Sequence, residues 1–297
     1  MDVRYEERLE EPVWTAREDA HVTRMREWTV PHQRRRSTGR KHPVLDFLFT
    51  YYSHPPSQLE RWQPGPFAVL AGPAARRFLD RTGYRATADG VGVDPSVWTA
   101  KRASGARYAL SILEATAGRA PRLSCFGLHE WAMVYRQPAG SVRHAQLPLR
   151  LGSAGTDEVV ESLGVRCGHY DAFRFFTPPA VPLNGLRPTR RTQVDLEQPG
   201  CLHANMDLYK WAYKLSPFVE AELLGDCFAL AAEIRLLDMR ASPYDLSELG
   251  HSPVRIETAE GRAEYARAQA GFASRATALR DRLIRRHRAV LDAFDVR

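Results

Sequence analysis

The pattern that most restricts the fold lies near the C-terminal end. Val219, Leu223, Cys227, Leu230, Ile234 and Leu237 recur at steps of four and three. Only a helix gathers that spacing onto one face, so a long helix with a buried stripe is expected there. Ser216-Pro217 reads as its N-cap and first position. Residues 202–215 read as the helix that this break ends. Further on, Thr258 caps an Ala- and Arg-rich stretch expected to be helical from about 259 to 294, with Phe272, Leu279, Leu283, Leu291 and Phe294 on its apolar side. These segments make the chain mainly α, a compact multi-helix domain with a few short strands such as "VRIET" at 254–258.

The rest of the chain reads as shorter elements. Residues 4–27 look helical, and "PHQRRRSTGRKHP" follows as a basic linker. The expected division is 1–40 as N-terminal helix and linker, and 41–297 as a single mostly helical domain. "HPVLDFLFTYYSHPP" is a helix stopped by Pro55-Pro56, and "GPAARRFLDRTG" is one ended by Gly83. "DPSVWTAKRASGARYALSILEATAG" is a longer helix and "GTDEVVESLG" a short one. "DGVGVD" at 89–94 looks like a turn, and 166–200 like ordered loop. "RLSCFGLHEWAMVYR" suits helix or strand equally.

Composition limits the function classes. No run of about 18 apolar residues exists, so no membrane span is expected. The charged start "MDVRYEERLEEP" lacks the apolar core of a secretory signal, and cytoplasmic localisation is the expectation. The four cysteines are widely spaced and form no CxxC. That argues against a disulfide framework or a Cys-based zinc site. A net charge of +7 permits acidic partners such as nucleic acid. Arg34, Arg35, Arg36, Arg40 and Lys41 are the strongest basic run, suited to phosphate contacts or to a solvated linker.

Four His–carboxylate pairs stand in apolar or aromatic surroundings: His42 with Asp46, His129 with Glu130, His169 with Asp171, and His203 with Asp207. Buried charges need partners or a metal. One reading is a centre holding iron, manganese or zinc, with His42, Asp46, His129, His169 and His203 among its ligands, serving a non-haem enzyme, an oxygenase for example, that acts on a small molecule. The bundle pattern Glu-x-x-His is missing from these segments, and "HEWAM" lacks the second His of HExxH. A second reading is acid–base work without a cofactor. Asp171 lies among Tyr170, Phe173, Phe175 and Phe176 with Arg174 at hand, and Glu130 lies beside Trp131 and Tyr135. Such groups suit cleavage of an N-glycosidic bond with an extruded base stacked on aromatics. Cys125, Cys167 and Cys201 each precede one of these histidines by four or two residues, as a thiolate–imidazole pair or as small buried side chains. Asp238 and Arg240 look structural first, with the same pocket as the alternative. No GxSxG, GxxxxGK[ST] or GxGxxG is present.

"HPVLDFLFTYYS", "CFGLHEWAMVYR", "HYDAFRFFTP", "QPGCLHANMDLYKWAYKLSP" and "IRLLDMRASPYDL" together resemble the actinobacterial proteins commonly named 3-methyladenine DNA glycosylase, over roughly residues 40–285. The resemblance implies a hydrolase that removes an alkylated purine from DNA in base-excision repair, with no cofactor. DNA phosphates would then meet Arg34, Arg35, Arg36 and Arg174. Tyr170, Phe173, Trp131 and Tyr135 would hold the base, and Asp171, Glu130 or Asp207 would serve catalysis. The chain has no helix-hairpin-helix followed by a Gly/Pro-Asp segment, so no catalytic Asp carries over from the helical alkylpurine glycosylases.

Overall fold

The computed structural model describes residues 5–137 and 146–294. The protein is mainly α with one small sheet, as its helical periodicity requires. In chain order its principal elements are β1 (Glu7–Leu9), α1 (Glu11–Ser37), α2 (Phe47–Tyr51), α3 (Pro56–Leu59), β2 (Ala68–Leu70), β3 (Tyr84–Thr87), β4 (Gly90–Val93) and α4 (Ala100–Ala117). They continue with α5 (Leu128–Ala132), α6 (Gly152–Leu163), α7 (Tyr170–Phe173), α8 (Gln193–Leu196), α9 (Leu202–Leu215), α10 (Ala221–Arg240) and α11 (Ala259–Phe294). The chain divides into two units, and the boundaries fall inside α4, α9, α10 and α11.

The first unit comprises 1–113, 208–229 and 279–297. It carries the sheet, in the order β1-β2-β4-β3, with β1 parallel to β2 and the other pairs antiparallel. The segment "DGVGVD" is therefore mostly strand rather than turn. Gly90 lets it pair closely, because a Cβ there would lie 2.1 Å from the Leu70 carbonyl oxygen. Three- and four-residue strands are too short for alternation to register in sequence. Trp14, Trp62 and Phe78 seal the core against this sheet, and the Trp14 indole N–H donates to the Ala71 carbonyl at 2.9 Å. Trp14 meets Phe78 edge-on at 5.7 Å, a contact worth about 0.5–1.5 kcal/mol beyond burial.

Two further local expectations fail in this unit. The basic stretch is not a linker: α1 runs through Pro31 and ends at Ser37, so Arg34, Arg35 and Arg36 form its last turn, where cations suit the helix dipole. Ser216-Pro217 does not start α10, which begins at Ala221. Gln63 instead donates to Ser216 Oγ at 3.0 Å and to the Val219 carbonyl at 2.8 Å, holding the turn between α9 and α10.

The second unit comprises 114–207 and 230–278. It is built from the ends of the shared helices with α5, α6, α7 and α8. Ile234 and Leu237 of the stripe are buried here, as are Trp131, Val160 and Tyr265. "VRIET" is a loop: Val254 and Ile256 are buried as alternation predicts, but their backbone N–H groups go to Arg240 and Val254, and no strand pairs with them among the described residues.

Candidate metal centre

All of the residues that converge belong to the second unit. The sharp turn before α5 places Phe126 at φ 45° and Gly127 at φ 71°. A left-handed non-glycine residue is strained, and the strain sits where the chain must present Cys125 and His129 to one cavity. His169 precedes α7, and a single buried amide fixes its approach. Asn184 accepts from the Cys167 backbone N–H at 2.8 Å and donates to the Cys167 and Leu186 carbonyls. On α9 the four-residue spacing puts His203 and Asp207 on one face. On α10 Arg235 and Asp238 stand three apart.

These elements assemble two triads. His129, His203 and Asp238 form one, and His169, Glu197 and Asp207 the other; within each, the ligand atoms lie within 4.8 Å of one another. All six side chains are at most 5% exposed. The His203 ring links the triads, edge-on to His129 at 4.4 Å and stacked on His169 at 5.1 Å.

Four of the facing atoms lack a hydrogen bond. His129 Nε2 lies 3.0 Å from Asp238 Oδ1, yet the geometry makes no hydrogen bond and neither atom has another partner. His169 Nδ1 is 3.4 Å from Glu197 and Nε2 is 3.8 Å from Asp207, and both nitrogens are likewise unsatisfied. Buried polar atoms are almost always paired, so four at one spot have room for a partner such as an ion or a water. Imidazole and carboxylate donors at this density fit a transition-metal ion in each triad.

Electrostatics act in opposite senses on the two imidazoles of the first triad. Burial, with His129 as a like-charged neighbour, holds the His203 imidazole well below its ordinary range and so in the ligating neutral form. Burial also opposes charge on His129, but Asp238 overrides it and raises that imidazole. Outer groups fix the carboxylates. Arg235 Nη1 donates to Glu130 at 2.7 Å and to Asp238 Oδ2 at 3.0 Å, which turns Oδ1 toward His129. Gln193 donates to Glu197 Oε1. Such partners orient ligands and set their basicity.

A cavity of about 360 Å³ opens onto the histidines. Its floor includes His129, His169, Glu197 and His203, and its wall Cys125, Cys167 and Cys201. Burial pushes the Cys167 thiol up to about 12 and also raises Cys125 and Cys201, so the wall is uncharged. Three of the four cysteines thus line one cavity, and the fourth, Cys227, is buried in the first unit.

The sequence candidates divide sharply. His129, His169, His203 and Asp207 join the triads, and Glu130 supports one through Arg235. His42 and Asp46 do not join: they lie in the first unit, where Asp46 accepts from the His42 backbone N–H, from His32 at 2.8 Å and from Arg35. Burial pushes the Asp46 carboxyl up, but Arg35, His32 and that N–H together hold it below its usual range. Asp171 is half-buried and pairs with Arg174 at 3.3 Å, while Arg174 lies over the Phe175 ring. Tyr170 and Phe173 are only partly buried on α7. Trp131 and Tyr135 are core residues whose polar ends go to the Ala241 carbonyl and to Glu161. Arg35 is tied to Asp46, and Arg34 and Arg36 are exposed on α1.

Glu197 was missed because it sits in a Pro- and Arg-rich loop without periodicity. Asp238 was visible as a charge beside an apolar stripe, a signal that outweighs its structural reading once Arg235 is seen beside it. In comparisons with protein-family models, curated proteins and solved structures, nothing matches this chain.

Proposed function

We propose that the chain is a metal-dependent enzyme with a two-metal centre, acting on a small molecule that enters the 360 Å³ cavity. The observation that carries this reading is the convergence of two buried triads in which His129 Nε2, Asp238 Oδ1 and both His169 nitrogens make no hydrogen bond. The donor set of two histidines and one carboxylate beside one histidine and two carboxylates suits iron, manganese or zinc. Such ions supply Lewis acidity or electron transfer at the substrate.

The chain's own residues have defined parts. His129, His203 and Asp238 would hold one ion, and His169, Glu197 and Asp207 the other. Arg235 keeps Asp238 in a single orientation and balances Glu130. The thiol wall keeps water-ordering charges away from the floor.

Hydrolysis of an N-glycosidic bond in alkylated DNA, the activity implied by the sequence resemblance, makes the opposite demand, since it needs no metal. Purified protein is incubated with duplex containing 3-methyladenine, before and after chelation. Release of the base that survives full metal removal, together with Glu130→Gln and Asp171→Asn variants that lose it, would overturn the metal reading. Absence of release, with bound iron, manganese or zinc lost on chelation, supports it.

A further inference from the structure

The rim of the cavity differs in charge from its floor. Arg122, Ser124, Arg166 and Gly185 line the cavity and are exposed, whereas His129, Cys167, His169 and His203 beneath them are buried. Resting on the two-metal reading above, we infer that the substrate is a small anion, a carboxylate or a phosphate monoester, whose charged end is held by Arg122 and Arg166.

Both arginines are positioned by the segments that supply the centre. Arg122 stands three residues before Cys125 and seven before His129, and Arg166 three before His169. The Gln198 side chain clamps the Arg122 backbone, accepting from its N–H at 2.8 Å and donating to its carbonyl at 3.2 Å. Arg166 follows Val165, whose carbonyl accepts at 2.8 Å from the N–H of Gly185, another residue lining the cavity. The rim is thus backbone held by hydrogen bonds and carrying two exposed arginines.

Neither guanidinium has an acidic partner among the described residues. Arg136, Arg150, Arg174, Arg235, Arg240 and Arg275 of the same unit hold carboxylates. Two fork-shaped donors at one opening match the geometry of carboxylate and phosphate. Between rim and floor lie thiols and the side chains of Leu186 and Leu196, which suit an uncharged body. Among the described residues Glu197 is the one carboxylate lining the cavity, and it is turned to Gln193 and the second triad.

The test uses metal-loaded full-length protein, with inorganic phosphate and acetate as probes, by titration calorimetry. Arg122→Gln and Arg166→Gln are compared with wild type and with Arg267→Gln, an exposed residue that does not line the cavity. Each rim variant is expected to weaken binding of at least one probe by ~10-fold or more, with metal content unchanged. Tighter phosphate binding points to a phosphate monoester, and tighter acetate binding to a carboxylate. Equal affinity in wild type and both rim variants, or no binding of either probe to the loaded protein, overturns the inference. A chain that takes up no metal overturns the two-metal reading instead, and arginine-dependent anion binding by that same protein still upholds the rim assignment.

Discussion

His129 Nε2 and Asp238 Oδ1 face each other at 3.0 Å, fully buried, without a hydrogen bond between them. A bound cation satisfies both atoms at once. Metal that binds only the folded chain raises its stability, by about 2.7 kcal/mol at a hundredfold excess over Kd. For a chain of this size that is roughly 4 °C in Tm for each ion bound. Thermal scans with and without manganese or zinc should show this shift, and Asp238→Asn should remove about half of it or more.

Arg235 is a buried cation serving two buried acids, Glu130 and Asp238. Replacing it by Met leaves both carboxylates facing each other without compensation. The expected loss is about 3–5 kcal/mol in metal-free protein, read as a lower urea midpoint. Arg235→Lys should recover part of the stability but not the fixed orientation of Asp238, so metal affinity should stay reduced by ~10-fold or more.

Asn184 holds the loop that leads to His169 through three hydrogen bonds to backbone. Asn184→Ala leaves those buried groups unpaired, at a cost of about 2–3 kcal/mol. Loading of the His169 triad should weaken while the His129 triad keeps its metal. Metal stoichiometry near one per chain, against two for wild type, is the expected readout.

Legibility in sequence followed the strength of local patterns. α9 and α11 were placed within a residue or so because their apolar spacing persists over several turns. The sheet was invisible because its strands are three or four residues long and one is built around Gly90 and Gly92. At the site, the histidines stood out as residue types, and His203 with Asp207 share a helix face. Which pairs would meet was not legible: His42 with Asp46 looks the same in sequence as His203 with Asp207, yet it is consumed by His32 and Arg35. Nor could spacing reveal that His169 turns to Glu197 and Asp207, because those contacts depend on tertiary packing. Asp171, its neighbour in sequence, pairs with Arg174 instead.

Part of the acid sensitivity should arise from two buried histidines of the first unit. Burial holds His54 and His287 at about 4, with only the Leu283 carbonyl opposing the shift at His287. In the unfolded chain both titrate near their ordinary value of about 6.5. The unfolded state therefore binds more protons between those limits. Stability is complete above about 6.5 and falls as pH drops toward 4, by on the order of 3 kcal/mol per histidine over the whole window. Urea midpoints from pH 7 to pH 4 should show this slope, and His54→Gln or His287→Gln should each flatten it.

The central claim is that six buried side chains hold two metal ions. Equilibrium dialysis of the purified, chelator-stripped chain against manganese, iron(II) or zinc counts them directly. Two ions per wild-type chain, one after Asp238→Asn and one after His169→Ala, is the predicted result. Less than one ion per wild-type chain for every metal, or two ions undiminished in both variants, would contradict it.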